Sequence, residues 1–124
     1  MNYRKSKVGR ASAVLTTGEV AGAALDLDQA KDKQVVVDLS FTIGMLTNVT
    51  ARFYGSVDGT TYDLLGHLAV PGTASVVLTA DTEKMFIMPA LPGIKWFRVS
   101  VQGSGTVTNS LCQFTYRYDK RGSL

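Results

Sequence analysis

Strict alternation of apolar and polar residues over three stretches constrains this chain more than any other feature. In residues 34–43, Val35, Val37, Leu39, Phe41 and Ile43 alternate with Val36, Asp38, Ser40 and Thr42. In residues 48–57, Val49, Ala51, Phe53 and Val57 share one parity, while Thr50, Arg52, Tyr54 and Ser56 share the other. In residues 95–102, Phe97, Val99 and Val101 oppose Trp96, Arg98 and Ser100. Successive side chains of a β-strand point to opposite faces, so each stretch is a strand with one face on a core. Weaker strands are expected at Ala13–Thr17, Tyr62–Val70, Ser75–Thr79, Lys84–Met88 and from about Thr106 to Tyr118. Between them stand turn formers at Asp58-Gly59, Pro71-Gly72, Pro92-Gly93 and Gly103-Ser104-Gly105. Only Gly22–Lys33 has helical character, and its pattern is poor.

Strands punctuated this regularly predict an all-β chain: an antiparallel β-sandwich, jelly-roll or Ig-like Greek key, of about seven to nine strands. At 124 residues the chain suits one domain with a core of its own. The expected organisation is a basic, extended N-terminal arm at 1–12, the sandwich at 13–118 and a tail at 119–124. Charge supports the arm, because residues 1–10 carry Arg4, Lys5, Lys7 and Arg10 without an acid. The other end is also basic, with Arg117, Lys120 and Arg121 against Asp119. Alternating polarity and interrupted apolar runs give no signal peptide and no membrane span.

No catalytic, cofactor-binding or metal-binding residue is assigned. A nucleophilic triad needs Ser or Cys with His and an acid; the one histidine, His67, lies in an expected strand, and Cys112 suits a small buried thiol. Asp26, Asp28 and Asp32 have spacing that suits a hard cation, but lack an EF-hand's glycine and closing glutamate, and Lys31 and Lys33 dilute their charge. Among Asp58, Asp63, Asp81 and Glu83, nothing singles out a catalytic pair. Trp96, Tyr54, Tyr116 and Tyr118 on strand faces, with basic chain ends, raise nucleic-acid binding, but no nucleic-acid motif surrounds them. Protein docking is the economical use of these residues. Its candidates are Tyr3, Arg4, Lys5, Lys7 and Arg10 on the arm, with Trp96 and Arg98 facing out from β-structure; for Trp96, burial in a two-sided strand stays open.

The stretch FYGSVDGTTYDLL (residues 53–65) reads as a hairpin and not as an active-site loop. Phe53 and Val57 continue an inward face, Asp58-Gly59 makes the turn, and Tyr62 and Leu64 return on the same core. Asp58 is expected to hold the turn through its own backbone, with Asp63 outward.

That hairpin, followed by KWFRVSVQGSGTVTNSLCQFTYRY, resembles a pattern recurrent in small β-sandwich virion proteins of tailed bacteriophages: S-x-D-G-x-x-[FY], an aromatic strand, a Gly-rich turn and a final strand ending in Tyr-Arg-Tyr. The likeness covers roughly residues 34–118. It implies a structural virion protein, foremost a capsid decoration or stabilising protein, assembled in the host cytoplasm on the major capsid protein or other virion proteins. Self-association through strand edges left open is expected with it. A head-tail connector or tail component is the alternative within the class, and a glycan-binding module using Tyr54 and Tyr62 is the alternative outside it.

Overall fold

The computed structural model describes residues 3–65, 75–88 and 90–120; of Tyr3 and Arg4 the backbone alone is described. His67, Pro71-Gly72, Arg121 and the tail from 121 onward lie outside the described residues. The strands are β1 (Tyr3–Ala13), β2 (Val20–Ala21), β3 (Leu25–Asp26), β4 (Val36–Thr42), β5 (Leu46–Ser56), β6 (Asp63–Leu64), β7 (Ser75–Leu78), β8 (Thr82–Ile87), β9 (Trp96–Gly105) and β10 (Leu111–Lys120).

One sheet, here sheet A, has the order β1-β10-β4-β8, and the other, sheet B, has β2-β9-β5-β6. The short β3 joins β9, and β7 joins β5. With β2/β3 and β6/β7 each taken as one interrupted strand, first pairs with last and each later strand with the next one in from the end. All these pairs are antiparallel. This wrapped double ribbon is the jelly-roll order, so of the two expected topologies the jelly roll is the one formed.

The alternating stretches behave as their parity demands. Val35, Val37, Leu39 and Phe41 of one sheet face Val49, Ala51, Phe53, Phe97, Val99 and Val101 of the other, all buried. Phe53 lies parallel to Phe97 at 6.4 Å, and Phe97 meets the edge of Tyr116 at 5.7 Å. Burying each such side chain contributes about 1.5–3 kcal/mol. Tyr116, one of the aromatics weighed for base stacking from a strand face, is fully buried. Its hydroxyl donates to Ala23 O (2.7 Å) and accepts from the Val99 N–H (3.0 Å), tying β10 to the opposite sheet.

Several expectations are corrected. Residues 3–13 are not an arm outside the sandwich: they form the edge strand β1, in register with β10 from Tyr3↔Lys120 to Ala13↔Cys112. The physical reason is Gly9, whose missing side chain admits the rings of Phe114 and Tyr116; a Cβ there would come within 2.5 Å of Phe114. The strand expected at Ala13–Thr17 is therefore the end of β1 and a loop. Gly103-Ser104-Gly105 continues β9, and the turn falls at 106–110, so β10 starts at Leu111. Gly22–Lys33 is extended chain with two single 3-10 turns, Leu27–Gln29 and Lys31–Lys33. Val57 and Leu64 do not enter the core; both are exposed. Asp58-Gly59 is part of a wider loop, because β5 and β6 pair only from Gly55↔Asp63 onward.

Candidate functional site

The interface candidates of sheet B lie on its outer face, in the row where Trp96 opposes Ser56 and Arg98 opposes Tyr54. They are half-buried there because loops fold over them. The Arg98 guanidinium stacks on Tyr62 at 3.9 Å and lies 5.6 Å from the Tyr54 ring. Trp96 lies under Gly59, which has φ 80° and where an added Cβ would come within 2.9 Å of the indole Nε1. Further along the face, the Tyr54 hydroxyl donates to Glu19 Oε2 (2.8 Å), and Arg52 donates to Glu19 Oε1 (2.7 Å) and Gln102 Oε1 (3.0 Å). Burial first, then the Glu19 carboxylate, raises the Tyr54 phenol above its ordinary pKa. Arg98 Nε and Ser100 Oγ are shielded without a protein partner. Trp96 and Arg98 thus hold the 57–62 loop in place, and Arg98 lies over the rings of Tyr54 and Tyr62.

That loop is fixed from within. Ser56 Oγ accepts from the N–H groups of Asp58 (3.3 Å) and Gly59 (2.9 Å), and Asp58 Oδ1 accepts from those of Thr60 (2.8 Å) and Thr61 (2.9 Å). The Thr61 and Thr60 amides, then the Ser56 hydroxyl, hold the Asp58 carboxyl below its ordinary range. Asp58 is the Asx-type brace expected from the sequence.

The basic residues of β1 are tied to the domain. Lys7 Nζ donates to Ala24 O (2.6 Å), and Arg10 donates to Cys112 O (3.2 Å) and Val14 O (3.0 Å). Lys5 is exposed, while Arg4 and Tyr3 are placed by register alone, opposite Asp119 and Lys120. Lys7 pairs across with the core residue Tyr116, and Lys84 of β8 with the core residue Leu39, so each edge of sheet A has a lysine at an inward position. The edges of sheet B are strands of two to four residues. Inward lysines, a β1 register that shifts beyond Val8, and very short strands all discourage pairing with another chain. The open strand edges expected from the sequence are therefore guarded.

Among the described residues, the outer face of sheet A remains open. Two cross-strand rows, Ser6-Arg117-Val36-Ile87 and Val8-Thr115-Asp38-Met85, run across it. Val8, Met85, Ile87 and Leu111 stand exposed on this face. Its two central charges cancel, Arg117 Nε lying 2.9 Å from Asp38 Oδ2. Sequence reading missed this surface, although the apolar Val36 at an outward parity in β4 was its signal. A groove of about 630 Å³ opens at the end of the face, where Lys5 and Lys31 stand beside Val36, Met85 and Ile87.

Lys95 Nζ reaches Asp28 Oδ2 (2.8 Å) and Asp26 Oδ1 (3.5 Å), and Lys33 Nζ reaches Asp28 Oδ1 (3.3 Å). Hydrogen bonds from Lys95 and then Lys33 hold the Asp28 carboxyl below its ordinary range. Asp26 caps its own turn by accepting from the Asp28 N–H, and Asp32 sits in the left-handed region at φ 57°. Among the described residues no three His, Cys, Asp or Glu side chains converge as a metal site, and no helix is long and apolar enough to cross a membrane. Burial pushes the Cys112 thiol up to about 11, which keeps it protonated and unreactive.

Fold and surface together define a braced all-β jelly roll with guarded edges and one open, nearly neutral face. Comparison with known protein families and with curated protein sequences gives no match. Among solved structures, the chain is similar to a protein of the Bacillus endospore appendages, described as a novel family of disulfide-linked pili. The TM-score is 0.55 at 13% identity, over 99% of this chain and 92% of that one. A likeness at this identity establishes the fold alone, an all-β sandwich. The single cysteine of this chain, Cys112, is buried at 1% exposure.

Proposed function

We propose that this protein is a non-catalytic structural subunit of a particle, in its first reading a capsid decoration or stabilising protein of a tailed bacteriophage virion. The observation that carries a docking role is the outer face of sheet A, where exposed Val8, Met85, Ile87 and Leu111 surround a self-neutralised ion pair on a rigid sheet. Exposed apolar groups gathered on one face mark protein contact surfaces. With strand edges guarded, docking works face to face, by burying this surface against the major capsid protein or another virion protein. Such burial stabilises the assembled state by mass action. The phage assignment rests on the FYGSVDGTTYDLL and KWFRVSVQGSG resemblance, and the jelly roll agrees with it by analogy, being common in viral shells.

A second reading, a subunit of an extracellular filament, is favoured by the likeness to the endospore appendage protein. Both readings include self-association. Immunogold electron microscopy on particles from the cells that make the chain separates them: label on heads supports the first, label along filaments the second, and label on neither refutes both. Within the first reading, Val8→Glu and Leu111→Glu are expected to abolish binding to heads lacking the protein while leaving the fold intact. Undiminished binding would remove sheet A as the docking face.

A further inference from the structure

One end of the sandwich carries both a protruding acidic, apolar loop and a groove of matching chemistry. On the loop, Val57 and Leu64 are 68% and 50% exposed. Between Ser56 and Leu65 the chain has Asp58 and Asp63 and no base. The loop is already rigid, through the Ser56 and Asp58 hydrogen bonds and the Tyr62 ring on Arg98 at 3.9 Å. A braced element loses little freedom on binding, so its two aliphatic side chains are well suited to insertion elsewhere.

The groove opens on the sheet A side of the same end. Its floor includes Met85 and Ile87, 59% and 66% exposed, with Val36 beside them. Lys5 and Lys31 stand at its rim with Asp32 and Asp119, and Arg117 is offset by Asp38. Adding Lys120, which follows Asp119 in β10, leaves an excess of one positive charge against the loop's two aspartates. The loop and groove are tied side by side: the Lys95 N–H donates to Ser56 O (3.0 Å) at the base of the loop, and Lys33 Nζ donates to Ile94 O (2.8 Å) beside the turn that bears Lys31. The loop cannot fill its own groove, because Trp96 and Arg98 hold it on the outer face of the other sheet.

We propose that two copies of the chain meet end to end about a two-fold axis, each seating its Val57–Leu64 loop in the other copy's groove. A two-fold lying in the sheet plane and across the strands exchanges sheet A for sheet B, so one operation closes both contacts. Apolar tips then meet the apolar floor, and Asp63 approaches Lys5 and Lys31. This deepens the self-association part of the proposed function and rests on it; the groove takes up Met85 and Ile87 of the sheet A face, and Val8 and Leu111 are left for docking to the shell.

Sedimentation velocity of the full chain over a concentration series tests it. The wild type is expected to form dimers. Asp63→Lys, and separately Lys5→Glu with Lys31→Glu, should each weaken dimerisation at least about tenfold, since like charges then face each other in both contacts. An equimolar mixture of the two variants should restore dimers, because every loop in the mixed pair again meets opposite charge. Val57→Ser with Leu64→Ser, at exposed positions, should also give monomers, with an unchanged circular dichroism spectrum showing that the fold is kept. A monomeric wild type, variants that dimerise like wild type, or a mixture that stays monomeric would each overturn the proposal. A monomeric wild type that still binds heads would leave the decoration reading standing, and a dimer that binds neither heads nor filaments would remove that reading alone.

Discussion

Replacing Tyr116 with Phe removes one oxygen atom from the centre of the molecule and keeps the ring. That oxygen serves two buried backbone groups, accepting from the Val99 N–H at 3.0 Å and donating to Ala23 O at 2.7 Å. The Val99 N–H sits in a strand whose side chain is fully buried, so solvent does not replace the lost partner. A buried hydrogen bond is worth about 1 kcal/mol net, and an orphaned partner costs about 1–3 kcal/mol. Two bonds with some local relaxation give a loss of about 2 kcal/mol for Tyr116→Phe. For a chain of this size that lowers the melting temperature by about 8 °C. Urea unfolding should show a lower midpoint at unchanged slope, since the surface exposed on unfolding is the same. The sign is diagnostic. If Tyr116 only fills space, the more apolar ring is neutral or stabilising, and a change within about 0.5 kcal/mol would refute the bridging role. Tyr118→Phe, on the same strand and half-buried, is the control expected to be near neutral.

Other outcomes follow from single features. Gly59→Val should destabilise by at least about 1–2 kcal/mol, because φ is 80° and a Cβ would lie 2.9 Å from the Trp96 indole nitrogen; calorimetry checks it. Asp58→Asn keeps an acceptor for the Thr60 and Thr61 amides, whereas Asp58→Ala removes it, so faster hydrogen exchange at those amides is expected in the alanine variant alone. The Cys112 thiol, raised by burial from 9.0 to about 11, binds its proton more tightly in the folded state. Its contribution to stability is therefore full below about pH 9 and lost as pH rises towards 11, and Cys112→Ala should flatten that part of the unfolding profile. Deleting residues 1–10 should strip the edge of β10 and uncover Phe114, giving an unstable or aggregating chain; a fully stable truncation would restore the picture of a dispensable arm.

The inward sets of β4, β5 and β9 were legible because a two-residue period assigns each side chain to a face with no knowledge of partners. Asp58 was legible for a similar reason: an Asx brace closes within three residues, so its chemistry is local. The surfaces were harder to read, because parity says which face a residue is on and not what covers that face. Trp96 and Arg98 have outward parity, yet the 57–62 loop lies over them; Val57 has inward parity by count, yet β5 ends before it.

The sequence by itself determined an all-β chain, the inner faces of its main strands and the brace of the loop at Asp58. Only the tertiary structure decided the jelly-roll order, the place of residues 3–13 as an edge strand, and the guarding of both sheet A edges by Lys7 and Lys84. The reason is separation along the chain: β1 meets β10 through pairs such as Tyr3↔Lys120. A basic decapeptide has no local mark of that partner. Its Gly9 acquires a meaning only when the rings of Phe114 and Tyr116, a hundred residues later, need the space.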